Sequence, residues 1–362
     1  MSPAAGRRMS PEIALLLAED GIANGAIYVL VGLGIVLVFV VTRVIFVPFG
    51  DILAYAALTL GALERQRLPG TVWLVLTLAI LASGMEIASL WRNKRLRELP
   101  RSLALFGALP LLPAAAVALA AGRDLPAAPA IALTLALVLP IGPLLYRIAF
   151  RPLADAPVLV LLMVAVALHF AVSGLALFYF GPEGVRTQPL LHATFRLGAL
   201  ILPGQTLIIL VACALVCLML FLIFTRTMGG KALRATAVNR LGARLCGISP
   251  SRAGAAAFLL ASGLAGISGV IIAPVATLYY DSGFIIGLKA FIGAIIGGLV
   301  SYPMAALGAI FVGLLESYAA FWSSAFKEVI VFSALIPILV WRSLAFGHHA
   351  PEEDDLAEDI AA

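Results

Sequence analysis

Long apolar stretches alternate with short polar connections along almost the whole chain. Many of them approach 18–20 residues, the length that an α-helix needs to cross about 30 Å of hydrocarbon. Short segments that alternate strictly between apolar and polar residues, as in transmembrane β-barrels, do not recur. The pattern predicts apolar helices at 22–42, 51–63, 71–91, 102–121, 130–146, 157–180, 204–224, 254–273, 288–300, 303–320 and 328–341. We therefore expect an all-α, polytopic transmembrane helical bundle with about 8–11 membrane segments.

The composition supports this class. Of the 362 residues 62% are hydrophobic and 12% are charged, and the mean hydropathy is +1.09. Soluble domains carry about 25% charged residues. The net charge of +5 fits loops that face anionic lipid better than nucleic-acid binding, because residues 1–362 form a single transmembrane domain without a soluble domain to carry a basic patch. We expect membrane lipid, and no nucleic acid, among the partners.

The basic residues cluster at 92–101, 147–151 and 226–252, which the positive-inside rule places in the cytoplasm. The connections at 122–129 and 181–203 then lie outside. Arg7 and Arg8 favour a cytoplasmic N-terminus, whereas counting helices backwards favours an outer one unless a segment is re-entrant. Residues 343–362 read as a disordered acidic tail on the cytoplasmic side.

Two segments predict broken or re-entrant helices. In 44–55, Pro48 removes a backbone donor and Gly50 loosens the chain, and in 273–298 short apolar pieces flank Asp281 and Gly283. Irregular backbone at membrane depth survives inside protein or along a water-filled cavity, and it marks substrate sites in transporters. A simple proline kink and an ordinary outer loop are the alternatives.

Intramembrane polar residues each require a reason, because a charge in hydrocarbon costs about 3 kcal/mol. Lys289 either neutralises an anionic substrate group or snorkels to the outer surface, and Glu316 either pairs with a neighbouring helix or contacts substrate. His169 reads as a hydrogen-bonded packing residue, and Asp51 as a cap that accepts backbone N–H groups. The predicted substrate pathway consists of Pro48, Phe49, Gly50, Asp51, Gly283, Lys289, Phe291 and Glu316.

The segment 225–252 carries six basic residues and no acidic one, which places it in the cytoplasm. A stripe of apolar residues steps by four and three, as on one face of a helix; it comprises Leu233, Ala237, Leu241, Leu245 and Ile248. Gly247 can end this helix, and Ser249 with Pro250 can begin the next one. The helix either lies on the lipid surface or docks into a groove on a cytoplasmic partner.

The sequence offers no chemistry of catalysis. It lacks a nucleophile–base pair, a metal-ligand cluster and a phosphate-binding glycine loop, so we expect no catalytic, metal or cofactor-binding residues and no enzyme activity. If ATP drives the protein, another chain binds it.

Four segments carry a family resemblance: "RATAVNRLGARLCGISPSRAGAAAFLLASGLAGISGVIIAP", "GLKAFIGAIIGGLVSYPMAALGAIFVGLLESYAA", "NGAIYVLVGLGIVLVF" and "YRIAFRPLADAPVL". They resemble the branched-chain amino-acid ABC transporter permeases, specifically the H-type membrane subunit. The resemblance implies the membrane half of an importer in the bacterial inner membrane, with a second permease subunit, two cytoplasmic ATPases and a periplasmic binding protein as partners. The substrate would be a branched-chain amino acid or a related small amino acid or amide.

The resemblance also makes 225–252 the cytoplasmic coupling loop, with Leu241-Gly242-Ala243 and Gly247 at the positions of the family's Glu-Ala-Ala-x-x-x-Gly coupling motif. The expected ATPase-coupling residues are Lys231, Arg234, Leu241, Gly242, Ala243, Arg244, Leu245 and Gly247.

Three departures stand out. Leu241 replaces the usual glutamate, "VPFGD" replaces the typical Phe-Ala-His-Gly-Asp, and 65–130 contains an extra helical hairpin. The alternative function is a stand-alone secondary transporter or channel for a small polar solute.

Overall fold

The computed structural model describes residues 10–92, 94, 97, 99–154, 156–197, 200–299 and 301–346. Within these ranges, eight helices are long and apolar enough to cross a membrane, which confirms an all-α polytopic bundle. They are α1 (Pro11–Thr42), α3 (Thr71–Arg92), α4 (Leu99–Ala120), α5 (Ala127–Leu153), α6 (Val158–Phe180), α7 (Gly204–Arg226), α10 (Pro250–Ile272) and α12 (Tyr302–Trp322).

The remaining helices are shorter. They are α2 (Phe49–Glu64), α8 (Met228–Val238), α9 (Arg240–Leu245), α11 (Ser282–Ile296), α13 (Lys327–Ser333) and α14 (Leu335–Phe346). Within the longer helices, Ala104–Ala108 of α4 and Tyr146–Phe150 of α5 form single π-helical turns. The sequence pattern did not predict the small antiparallel hairpin of β1 (Thr194–Leu197) and β2 (Leu200–Pro203).

Helix α1 forms the centre of the bundle and runs antiparallel to α12. A Cβ atom on Gly25 would lie 2.8 Å from the Cα atom of Ile310, and one on Gly21 would lie 2.8 Å from that of Leu314. Glycine therefore lets the two backbones touch, as in other membrane helix pairs that lack a hydrophobic driving force in lipid. Helices α10 and α11 also pack against α1, so most of it is buried.

The bundle has two chemically different ends. The basic end holds Arg147 and the segment 226–252. The opposite end holds 181–197, 200–203 and 273–281, and a bridge between Val185 and Leu278 joins two of these segments. Helix α1 starts at the opposite end, since Ser317 near the end of α12 donates a hydrogen bond to the carbonyl of Leu17. This direction agrees with the backward helix count. Residues 1–9, with Arg7 and Arg8, and most of the predicted acidic tail (347–362) lie outside the described residues.

The structure confirms both predicted helix breaks. Helix α1 ends at Thr42, Arg43 adopts a left-handed conformation (φ 59°), and α2 begins at Phe49 directly after Pro48. The second break separates α10 from α11, which has 15 residues. Because α2 has only 16 residues, neither short helix reaches the length needed to cross a bilayer alone.

The region 65–130 contains the helical hairpin of α3 and α4. An ion cluster around the buried carboxylate of Glu86 joins α3 to α5: the Arg147 Nε and Arg151 Nη1 atoms both lie 2.9 Å from Oε1 of Glu86. A buried carboxylate of this kind requires such donors, since its desolvation would otherwise be very costly.

Candidate functional site

The two predicted helix breaks meet in space at a glycine–glycine contact between α2 and α11. A Cβ atom on Gly50 would lie 1.9 Å from the carbonyl oxygen of Gly283, and one on Gly283 would lie 2.0 Å from the carbonyl oxygen of Gly50. No larger side chain fits at either position unless the helices separate. Two segments more than 200 residues apart therefore form one structural unit at the centre of the bundle.

Beside this contact, Asp51 pairs with His169 of α6. The His169 Nδ1 atom lies 2.8 Å from Oδ2 and 3.0 Å from Oδ1 of the Asp51 carboxylate, and both residues are buried. The His169 ring also stacks on Phe284 of α11, with 4.4 Å between ring centroids. The expectation that Asp51 caps α2 was wrong, because its carboxylate engages the imidazole and the start of α2 has no side-chain cap.

A cavity of about 260 Å³ opens next to the Asp51–His169 pair. Its walls come from the first helix break and from α1, α6 and α11, and they are almost entirely aromatic and aliphatic. They include Phe46, Val166, His169, Phe170, Phe284 and Phe291. Among the lining residues, His169 is the only one with a hydrogen-bonding side chain. Small-molecule sites have this character, with apolar walls and a few placed polar groups.

Lys289 and Glu316 belong to a separate charged cluster. The Lys289 Nζ atom donates hydrogen bonds to Oε1 of Glu316 (2.6 Å) and Oε1 of Glu328 (2.9 Å), and the Tyr28 hydroxyl donates to Oε2 of Glu316. The Lys327 Nζ atom lies 3.6 Å from Glu316. The snorkelling alternative for Lys289 was wrong, since its side chain is buried, and the helix-pairing alternative for Glu316 is confirmed.

The predicted pathway residues therefore divide into two groups. Phe291 lines the cavity, Gly50 and Gly283 form the adjacent contact, and Asp51 orients His169. Pro48 and Phe49 lie between the lining residue Val47 and Gly50, whereas Lys289 and Glu316 pair with each other.

His169 and Phe284, which line this cavity, were not among the predicted pathway residues. The signal for His169 was a lone histidine within a long apolar helix, and that pattern is also typical of a packing residue.

At the basic end, the predicted single coupling helix is two helices. Asn239 ends α8 and caps α9, where its Oδ1 atom accepts a hydrogen bond from the Gly242 N–H (2.8 Å). Gly247 follows α9 with a left-handed backbone (φ 80°), and Ser249 caps α10, so the expected helix end and the next helix start are confirmed.

The interruption at Asn239 divides the predicted apolar stripe. Leu233 is buried, and with Ala237 it lines an apolar cavity of about 680 Å³ between α1, α7, α8 and α12. Leu241 and Leu245 instead face outwards, with 67% and 83% of their surface exposed. The single-face expectation was thus wrong beyond Asn239, because the turn there rotates α9 relative to α8.

The remaining predicted coupling residues also lie on α8 and α9 (228–245), which together we call the α8–α9 protrusion. Lys231, Arg234 and Arg244 are exposed, Gly242 is partly buried, and Ala243 is buried against the bundle. The protrusion is anchored to the α5–α6 connection, where Arg240 Nη1 donates a hydrogen bond to the carbonyl of Ala154 (3.3 Å). Helix α9 therefore presents Leu241, Arg244 and Leu245 on the outer surface of the basic end.

No group of three or more His, Cys, Asp or Glu side chains suited to a metal ion occurs within the described part of the chain.

Known transport proteins are similar to this chain over much of its length. The family described as a permease component of the branched-chain amino acid transport system matches residues 103–340. The chain is similar to the high-affinity branched-chain amino acid transport system permease protein BraD of Pseudomonas aeruginosa, with 28% identity over 203 residues, which cover 54% of this chain and 66% of BraD. It is similar to LivH of Escherichia coli K12, with 29% identity over 203 residues, covering 54% of this chain and 65% of LivH. The chain thus spans just under two thirds of the length of these relatives. No solved structure matches it.

Proposed function

Since this chain belongs to the family of permease components of branched-chain amino acid transport systems, we propose that it is the membrane-spanning permease subunit of an ATP-driven ABC importer. It would work in the bacterial inner membrane with a second permease subunit, two cytoplasmic ATPases and a periplasmic binding protein. The chain itself would hold no cofactor, because ATP would bind to the partner subunits. The substrate would be a branched-chain amino acid or a related small amino acid or amide.

The exposed α9 helix is the observation that carries this proposal. Exposed Leu241 and Leu245 stand beside Arg244 in a segment without a carboxylate, at the basic end that the positive-inside rule places in the cytoplasm. Exposed leucines next to a cation suit a groove with apolar walls and an acidic rim. A cytoplasmic ATPase with such a groove would bind α9 through these side chains.

The apolar cavity beneath α8 suggests how force would pass into the membrane. Helix α8 packs on α7, and the cavity between α8 and the ends of α1, α7 and α12 leaves space for movement. Helices α1 and α12 in turn pack against α11, which carries Gly283. ATP binding in the partners would shift this chain of contacts only if the ATPases bind α9 differently in the two access states.

The opposite end would receive substrate. The segments 181–197 and 273–281 lie there, and the hydrogen bond from Arg186 Nε to the carbonyl of Pro274 (3.0 Å) holds them together. A loaded binding protein would release its amino acid above this surface. The path would then lead past the α2–α11 contact and the cavity beside His169.

Affinity purification from native membranes tests the assembly. We expect two ATPase subunits and a second permease to accompany the chain. Isolation of the chain alone, with full ion-coupled uptake and no need for ATP, would reject the importer and favour a stand-alone secondary transporter.

The double substitution Arg244→Ala with Leu245→Ser tests the coupling site. Both side chains are exposed and contribute little to the bundle, so membrane insertion should remain normal while ATP-driven uptake falls at least tenfold, as for the loss of interface hot spots worth about 2 kcal/mol. The matched control is Leu119→Ser at an exposed leucine of α4, which should leave uptake unchanged. Unchanged uptake in the double variant would contradict the placement.

A further inference from the structure

The Asp51–His169 pair occupies an unusual position for two ionisable groups. Both are buried within an apolar bundle, on α2 and α6, and they meet at 2.8 Å. Their pairing lowers the cost of burial, but two apolar residues would avoid that cost altogether. Ionisable residues within membrane segments are rare for this reason, and they mark substrate or ion pathways.

In this geometry one hydrogen-bonding atom of the pair, Nε2 of His169, stays available to a ligand. The Asp51 carboxylate is bound to Nδ1 of His169, and a carboxylate accepts only, so Nδ1 carries a proton and the ring has a fixed orientation. Nε2 is then the remaining hydrogen-bonding atom of the imidazole. The His169 ring lines the cavity, and the stacked Phe284 ring restricts its rotation.

The cavity defines what such an atom could bind. Its volume of about 260 Å³ is small for a ligand site, and the other lining side chains, among them Phe46, Val47, Val166 and Phe291, are apolar. A ligand that fits has an apolar body and one polar end. Resting on the proposed function, we propose that His169 binds the polar head group of an apolar amino acid through Nε2 during translocation, and that Asp51 is its positioning residue.

The proposal assigns different tasks to the two ring nitrogens, and amide substitutions separate them. An asparagine at position 169 places its amide near the position of Nδ1, where it can still donate to Asp51 but offers nothing to the cavity. A glutamine places its amide near the position of Nε2. If His169 serves only to pack and to satisfy Asp51, His169→Asn is the milder change. If it binds substrate, His169→Gln is the milder change.

The first measurement is thermal stabilisation of the purified full-length chain, together with its copurifying subunits, by leucine. A ligand that binds the folded state raises Tm with concentration, and this readout needs neither ATP nor transport. We expect leucine to stabilise the wild type and His169→Gln and to have little effect on His169→Asn. Aspartate, whose charged side chain does not suit the apolar walls, should stabilise none of them.

The second measurement is ATP-dependent leucine uptake into proteoliposomes with a binding protein present. His169→Asn should reduce uptake about tenfold or more, the loss expected when a charge-assisted hydrogen bond is removed, and His169→Gln should reduce it less. The matched control, Phe178→Leu at an exposed position of the same helix, should match the wild type in both assays.

The outcomes separate the two proposals. If leucine stabilises the wild type with glutamine better than asparagine, but uptake does not require ATP, the importer proposal fails and the role of His169 stands. If uptake is ATP-driven but leucine does not stabilise the wild type, or asparagine equals or exceeds glutamine, the role of His169 is overturned.

Discussion

At the scale of the residue, the charged groups buried in this bundle occur in compensated clusters on different helices. A lone charge in hydrocarbon costs several kcal/mol. In the folded protein, partner side chains therefore take the place of the water that would otherwise solvate these charged groups. The three clusters are Asp51 with His169, Glu86 with Arg147 and Arg151, and Lys289 with Glu316 and Glu328. Only the first of these clusters borders a cavity described above, and this sets it apart from the other two.

The Lys289 cluster provides a stability test at this scale. Lys289→Met should destabilise the protein by about 3 kcal/mol, because Glu316 and Glu328 lose their buried cation. Adding Glu316→Gln should recover part of that loss, since the remaining buried charge is removed. Reversible unfolding of the purified protein in mixed micelles measures both. A double variant less stable than Lys289→Met alone would show that the pair does not act as a unit.

At the scale of the element, two half-length helices create the irregular centre of the bundle. The close approach of α2 and α11 is possible only because glycine occupies both Gly50 and Gly283. At the first break, Val44, Phe46 and Phe49 are buried within the protein, as irregular backbone at membrane depth requires. The same arrangement positions Asp51 and Phe284 against α6.

Gly50→Ala tests this contact. The added methyl group would lie 1.9 Å from a backbone carbonyl, so α2 and α11 must separate, and we expect a loss of more than 2 kcal/mol together with loss of uptake. The control is Gly84→Ala on α3, where no atom outside the adjoining turns of its own helix lies within 4 Å of the added carbon and alanine favours the helix. Thermal unfolding and uptake measured side by side distinguish the two. Wild-type stability of Gly50→Ala would mean that the helices do not touch in the membrane.

At the scale of the whole molecule, the asymmetric distribution of charge orients the bundle. The basic end carries the α8–α9 protrusion and the opposite end carries the β-hairpin, so the two ends present chemically different surfaces. The chain is a multi-pass membrane protein, and its orientation decides which partner meets which surface.

Chemical labelling of the native cysteines tests this orientation. Cys246 is exposed beside α9, whereas Cys213 and Cys217 are partly buried along α7. A membrane-impermeant maleimide should therefore label Cys246 in inverted vesicles and not in right-side-out vesicles or spheroplasts. The Cys246→Ser variant should lose this label and serves as the control. Labelling from the outer face would reverse the proposed orientation and remove α9 from the reach of cytoplasmic ATPases.

Features that depend on local sequence were predicted well. The apolar segments match the helices to within a few residues at most boundaries, although α1 begins at Pro11 rather than near residue 22. The breaks at Pro48 and Gly283 followed from local backbone chemistry. The prediction of a single apolar face from Leu233 to Leu245 was wrong. Asn239 ends one helix and caps the next, although the periodicity of the sequence continues through this turn.

The sequence by itself determined the class of the protein, the approximate spans, the broken helices and the basic end, because hydrophobicity, proline, glycine and charge act over a single helix length. The tertiary structure alone decided which polar groups meet. Asp51 and His169 are 118 residues apart, and no local pattern pairs them. Whether a buried histidine serves only in packing or binds a substrate depends on the cavity beside it. A cavity exists only where several helices leave space between them unfilled.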